Sequence, residues 1–436
     1  MHERTTIPKR DGGCCRNERT LLSALLLLGA LFGAAHPAAA VARRVFVTSQ
    51  KGTGNLATWP QAAGQTGVAA GNAICQTLAE DAGLASPATH LPKFRAWLSD
   101  SISDAACLVR GQTDGADQCT GPAPDPIGPL HLANGITPFA GALEDLIGQP
   151  REIYRGALLD ENLDLIPDDG SDYYWTGTAA NGRHTQDRCN GWTSAATPPF
   201  LGTIGRARAA AEHWTNAYDT PCSSLRRLLC VEAGEGTMSK PRWSPGRIAF
   251  VTSTAGTGDL ASWAPPGPWD GFAAADAECR ARATVAGLPD ADGFQALTSE
   301  SGSGWEERLS GPGAIRRLDN FEVAPSIAAL KLGPASNSLH VDEFGRYLRD
   351  NVAVWTGSLS DGTPAPATCG DWFFGDSGSN GEIGWASMSR DDSWMSAGIF
   401  PCVGKAHLYC VGKEVIIFWD GFERTGDTSR WSSTTP

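Results

Sequence analysis

Trp175-Thr-Gly177, Gly182, Cys189, Trp192, Trp214, Pro221-Cys222 and Leu228-Leu-Cys230 recur as Trp355-Thr-Gly357, Gly362, Cys369, Trp372, Trp394, Pro401-Cys402 and Leu408-Tyr-Cys410. The two stretches align without net gap, with one slip where Gly202-Thr-Ile-Gly205 faces Gly381-Glu-Ile-Gly384 one residue out of step. Side chains as large as Trp need fixed partners, so constant Trp and Cys spacing means a shared core. The chain is a tandem repeat.

Upstream, Arg44-Val-Phe-Val-Thr-Ser49 and Gly52-Thr-Gly54 match Arg247-Ile-Ala-Phe-Val-Thr-Ser253 and Gly256-Thr-Gly258. Phe46/Phe250, Trp59/Trp263 and Cys75/Cys279 keep one offset of 204. The β-branched opening predicts a strand that ends at a Gly-rich turn. A helix is predicted over Ala73–Ala82, with its twin over Ala274–Ala286; Gly83-Leu84 and Gly287-Leu288 suit Schellman endings. Phe94-Arg-Ala-Trp-Leu-Ser-Asp100 and Phe294-Gln-Ala-Leu-Thr-Ser299 could close a helix or open a strand. From there to the Trp-Thr-Gly segment the offset drops from 200 (94 to 294) to 180 (175 to 355), leaving twenty extra residues in the first repeat. They include Cys107 and Cys119, which have no twins and most simply bond each other. Residues Ser101–Gly170 lack an apolar period and are expected as surface loops.

The start reads as a secretory signal over residues 1–40: five basic side chains, the apolar run Leu21–Ala35 and a closing Ala38-Ala-Ala40. Without residues 1–40, which hold five basic and three acidic side chains, the net charge of −13 becomes −15. That acidity argues against nucleic acid, heparin-like polyanions and anionic membrane surfaces as partners. Removing Cys14 and Cys15 leaves ten of twelve Cys, an even number that reads as disulfides in an exported protein. The organisation expected is a signal peptide (1–40), two domains (41–232 and 246–413) joined by a Gly/Ser/Pro-rich linker (233–245), and a tail (414–436). That tail, Asp420-Gly-Phe-Glu423 with Gly426-Asp-Thr-Ser429, is similar to endings found on exported proteobacterial proteins.

Gly71-Asn-Ala-Ile-Cys75, Phe94-Arg-Ala-Trp-Leu-Ser99, Trp175-Thr-Gly177 and the closing Cys222 to Cys230-Val-Glu232 resemble endostatin and the bacterial secreted domains grouped with it. The second repeat departs where Gln295 and Leu297 replace Arg95 and Trp97. The resemblance implies an α+β fold of two tandem C-type-lectin-like (endostatin-like) domains, each stapled by disulfides. It further implies the pairs Cys75–Cys230, Cys189–Cys222, Cys279–Cys410 and Cys369–Cys402. The calcium-dependent sugar motifs of lectins with this fold have no counterpart here, and neither has endostatin's basic face.

Candidate sites are few. Asp160, Asn162, Asp164 and Asp168 place oxygen ligands at alternate positions, as a calcium loop does. Leu165 stands where such a loop has Gly, and Ser171 where it has Glu, so the stretch reads as a solvated acidic turn. No cofactor is expected, with calcium the one ion the turn could hold. Gly375-Asp-Ser-Gly378 matches a serine-protease nucleophile motif, but neither His340 nor His407 stands in the setting of its base, and a Gly-rich loop is expected. Trp372, Phe373, Tyr173 and Tyr174 are the candidate exposed aromatics for ligand binding. The expected function is a secreted, non-catalytic binding protein for an extracellular protein or polysaccharide. A structural envelope component and a secreted hydrolase are the alternatives.

Overall fold

Arg43–Val47 forms strand β1, helix α1 covers Gly67–Asp81, and β2 covers Phe94–Ala96. Strands β3 (Leu130–Leu132) and β4 (Pro138–Ala140), helix α2 (Leu143–Ile147) and strands β5 (Tyr173–Trp175), β6 (Leu201–Arg206), β7 (Tyr218–Pro221) and β8 (Arg227–Glu232) complete the first repeat. This computed structural model describes residues 43–416, apart from 114–118, 149–150, 197, 238–240, 242, 269, 332–335 and 414. The expected signal peptide and nearly all of the expected tail lie outside the described residues.

The first sheet runs β4-β3-β1-β8-β5-β6-β7, with β2 also on β8. Both faces of its centre are buried, as the unbroken apolar run Leu228-Leu-Cys-Val231 requires. Alternation then divides the side chains between two cores. Phe46, Trp175, Leu228 and Cys230 pack with Ile74 and Leu78 of α1. Val45, Val47, Tyr174, Leu229 and Val231 pack on the other face with Trp97, Trp214 and Leu143. Helix α1 starts earlier than the pattern suggested. It stops where expected: Leu84 N–H reaches the Ala79 carbonyl at 2.7 Å, and Gly83 takes φ +71°.

The second repeat repeats the plan with β9 (Arg247–Val251), α3 (Gly271–Val285), β10 (Phe294–Ala296), β11 (Ile315–Arg317), β12 (Glu322–Ala324), helix α4 (Ile327–Lys331), β13 (Ala353–Trp355), β14 (Asn380–Trp385), β15 (Gly398–Pro401) and β16 (Tyr409–Gly412). Registers coincide: Phe46 faces Cys230 and Phe250 faces Cys410. The fold is mixed α+β. Among the described residues, no helix is long and apolar enough to cross a membrane.

Among the described residues, five disulfides join Cys75–Cys230, Cys107–Cys119, Cys189–Cys222, Cys279–Cys410 and Cys369–Cys402, each within its own repeat. One disulfide in each repeat dictates the second Gly of the Gly-Thr-Gly turn. A Cβ on Gly54 would lie 2.3 Å from Cys189 Sγ, and one on Gly258 equally close to Cys369 Sγ.

The expectation of surface loops over Ser101–Gly170 is corrected. This stretch supplies β3, β4 and α2, and Leu130, Phe139, Ile153 and Tyr154 are buried. Elements of three to five residues are too short to show a period. The extra residues concentrate between Leu108 and Leu130, 22 positions apart, whereas the twins Arg308 and Ile315 are 7 apart, a difference of 15. Cys107–Cys119 closes this loop.

The described residues form one compact unit, and the two repeats meet through an isologous contact. Ala209 bridges Met388, its own twin at offset 179 (209 to 388). Ala210 N–H donates to the Ser387 carbonyl at 2.9 Å, and Ser389 N–H to the Arg208 carbonyl at 3.1 Å. Exchanging each residue for its twin turns one bond into the other, so a local pseudo-twofold axis passes between Ala209 and Met388. Tyr154 breaks the symmetry. It packs in the second repeat's core, stacked on Phe321 at 4.9 Å, whereas its twin is Ser336.

His340 seals the same boundary. Its Nε2 donates to the Ile153 carbonyl of the first repeat at 2.8 Å, while Nδ1 accepts from Ser338 Oγ at 2.9 Å and lies 3.3 Å from Arg317. Burial first, and then the Arg317 charge, push the imidazole down to about 3, from 6.5. A base depressed in the folded state contributes its full stability above the unfolded value and loses it as pH falls toward the folded one. Below pH 6.5 the cost approaches about 1.4 kcal/mol per pH unit. Denaturant titrations at pH 7, 6 and 5 should show that slope in the native protein and a shallower one in His340→Gln. Equal slopes in the two proteins would rule out His340 as the cause.

Candidate functional site

The acidic turn is built to satisfy its own backbone. Asp160 Oδ1 accepts from Asn162 N–H at 2.8 Å and Asp164 N–H at 3.0 Å, and Leu159 bridges Leu165. Glu161 reaches away from the turn to the Ser49 N–H at 2.9 Å and to the Ser49 hydroxyl. The second repeat builds the same device: Asp342 Oδ1 accepts from Phe344 and Arg346 N–H, and Glu343 holds Ser253. The Asp-Glu pair is thus a buried clip between the turn and the end of the first strand. Asn162 and Asp164 are exposed, on a turn whose Asp160 Oδ1 already serves two N–H donors.

Asp168 is brought to a different group. Its carboxylate lies with those of Asp172 and Asp391, ligand atoms within 4.8 Å of one another, at the boundary between the repeats. Burial raises the Asp168 and Asp172 carboxyls above their ordinary value, opposed chiefly by Arg208 and Arg206 respectively. Arg206 binds Asp172 at 2.9 Å and also Asp391, and Arg208 Nε stands 3.5 Å from Asp168. Two guanidiniums therefore already meet three carboxylates, which removes most of the field that would draw a dication. Added calcium below 1 mM is expected to leave the melting temperature unchanged, a magnitude set by sensor-class loops of about 10⁻⁷–10⁻⁵ M affinity. A rise abolished by Asp160→Ala or Asp168→Ala would overturn this.

Two aromatic candidates are corrected. Trp372 is fully buried and donates from Nε1 to the Ser299 carbonyl at 3.0 Å, as its twin Trp192 does to Ser99. Tyr174 is fully buried because alternation on β5 points it into the second core, where its hydroxyl donates to the Trp214 carbonyl. Neither ring can stack on a ligand. Phe373 is exposed, with Phe374 beside it. In the Gly375–Gly378 loop, Asp376 Oδ1 accepts from Gly378 and Ser379 N–H, while His407 is bonded to the Thr252 carbonyl. The loop is an Asx turn.

Tyr173 lies in a group that the sequence reading missed. Its ring meets Tyr218 edge-on at 5.1 Å, and the Arg206 and Arg226 guanidiniums lie over it at 5.2 and 5.6 Å. Tyr218 is 46% exposed and Leu225 58%. The Gly52–Arg226 bridge joins this platform to a cleft of about 180 Å³ lined by Gln50, Lys51, Thr53, Thr58, Trp59 and Gln61, with Leu225 on its rim. The twins of Tyr173, Tyr218 and Arg226 are Ala353, Gly398 and Ala406, so the platform belongs to the first repeat alone. That asymmetry was the available signal: Tyr218 is an aromatic that the repeat does not need for its core. Neither a family model nor a curated protein matches the chain.

Proposed function

We propose that this chain is an exported, non-catalytic binding protein built from two C-type-lectin-like, endostatin-like repeats. Its ligand is a protein or polysaccharide of the extracellular or envelope environment. The observation that carries this reading is the Tyr173–Tyr218–Arg226 platform with its adjoining cleft. Tyr and Arg present large, semi-rigid contact area with polar tips, the composition of binding hot spots. The platform stands on a doubly buried sheet with Cys75–Cys230 at its centre, so little ordering entropy remains to be lost on binding. A combined glycan and matrix-protein array tests this. Native protein should retain a ligand that Tyr218→Ala loses, with a weakening of roughly tenfold or more, as hot-spot truncations produce. Ligand capture that is indifferent to Tyr218 would sink the reading.

A further inference from the structure

The cleft beside the platform also constrains the chemistry of the ligand, and this step rests on the reading just given. We infer that the first repeat binds an uncharged glycan without calcium, one hexopyranose ring entering the Gln50–Gln61 cleft and the next lying against Tyr218. A volume of about 180 Å³ takes one sugar ring or one side chain and no folded element. Its polar side chains are Gln50, Gln61, Thr53 and Thr58, with Lys51 the one charged group; the Thr58 hydroxyl donates to the Asn55 carbonyl at 2.7 Å and offers a ligand its lone pairs. Amides and hydroxyls both donate and accept, as the vicinal hydroxyls of a sugar do. Leu225 and the Tyr218 ring supply apolar surface for the C–H faces of a pyranose.

Three observations select against an anionic ligand. The other cations nearby are engaged: Arg206 binds Asp172 and Asp391, and Arg226 lies over Tyr173 and donates to the Leu225 carbonyl and the Thr220 hydroxyl, each at 3.4 Å. Lys51 is attracted to Asp169, whose carboxyl is held low chiefly by its hydrogen bonds to Ser171 and in part by that lysine. The chain beyond residue 40 carries a net −15, which repels an anion at long range. A peptide added to the β7 edge would meet Pro221, which has no N–H to offer.

The second repeat is an internal control. At the twin positions Lys51 becomes Ala255, Gln61 becomes Pro265 and Leu225 becomes Lys405, while Thr254, the twin of Gln50, is bonded to Glu278. Binding should therefore be confined to one site per chain.

The test uses the whole exported chain in EDTA, titrated calorimetrically with cellotetraose, maltotetraose, chitotetraose and a uronic-acid tetrasaccharide. At least one neutral tetramer should bind with a stoichiometry of one. Tyr218→Ala and Gln50→Ala should weaken it about tenfold or more, and Phe373→Ala, on the second repeat, should not. Unchanged melting temperatures verify that the variants are folded. Preference for the uronic tetramer, or a need for calcium, would overturn the inference. If no tetramer binds but an array protein does in a Tyr218-dependent way, the glycan assignment falls and the binding function stands. Binding lost in Phe373→Ala and kept in Tyr218→Ala would overturn both, as would an absence of any ligand.

Discussion

Cys75→Ala with Cys230→Ala should lower the unfolding midpoint by roughly 10–20 °C, because the bond closes a loop of 155 residues. The chain-entropy relation assigns such a loop about 5 kcal/mol, comparable to the whole net stability of many domains. Cys279–Cys410, with a separation of 131, should cost nearly the same. Cys107–Cys119 spans only 12 residues, for which the relation gives about 3 kcal/mol. Its loss should loosen one loop and leave the second repeat's core intact. The ordering is the test. Calorimetry of the three double variants that placed Cys107–Cys119 first would show that local strain, and not chain entropy, governs these bonds.

What the sequence disclosed and what it concealed have different physical origins. The repeat, the ends of the two long helices and the strand openings were legible because each rests on local chemistry: a Gly at positive φ, a β-branched run, a Trp at fixed spacing. Cysteine pairing came through the resemblance and the orphan status of Cys107 and Cys119. Strands β3 and β4 were not legible, since three residues cannot display alternation. Tyr174 and Trp372 were misjudged because exposure is a property of the layer above a residue. On β5 a second core covers the face that an ordinary two-layer sheet would leave to solvent.

The boundary between the repeats was hidden for a further reason. Comparison of two copies finds what they share, whereas the contact depends on what they do not share. Arg206 faces Trp385 in the alignment and Tyr154 faces Ser336, so neither draws notice. Both nevertheless cross the boundary, Arg206 to Asp391 and Tyr154 into the Phe321 core. The platform has the same character, because Tyr218 faces Gly398. Shared residues build the frame here, and unshared ones join the copies and give the first repeat its Tyr218 platform.

Arg317 offers the sharpest test of that division. Its side chain is fully buried, paired to Asp319 at 2.7 Å and donating to the Tyr154 and Ser338 carbonyls at 2.9 and 2.8 Å. Burial alone would raise the Asp319 carboxyl, yet Arg317, seconded by the Tyr347 hydroxyl, holds it below its ordinary value. Arg317→Ala should therefore cost about 3–5 kcal/mol at pH 7, most of it from leaving Asp319 charged and unpaired. A group depressed in this way stabilises above its unfolded pKa, so the penalty should shrink as acid protonates Asp319 in the variant. The first repeat shows how to avoid it. Leu132 and Asn134 are the twins of Arg317 and Asp319, at offset 185, and Asn134 Oδ1 accepts from Ile136 N–H as Asp319 Oδ1 does from Phe321 N–H. Arg317→Leu combined with Asp319→Asn should then recover at least half of the loss, as buried ion pairs replaced by apolar groups commonly do. The Tyr154 and Ser338 carbonyls, left without this donor, account for the remainder. If the double variant proved as unstable as Arg317→Ala, the bond to Tyr154 across the repeats would be the dominant contribution, and the ion pair a minor one.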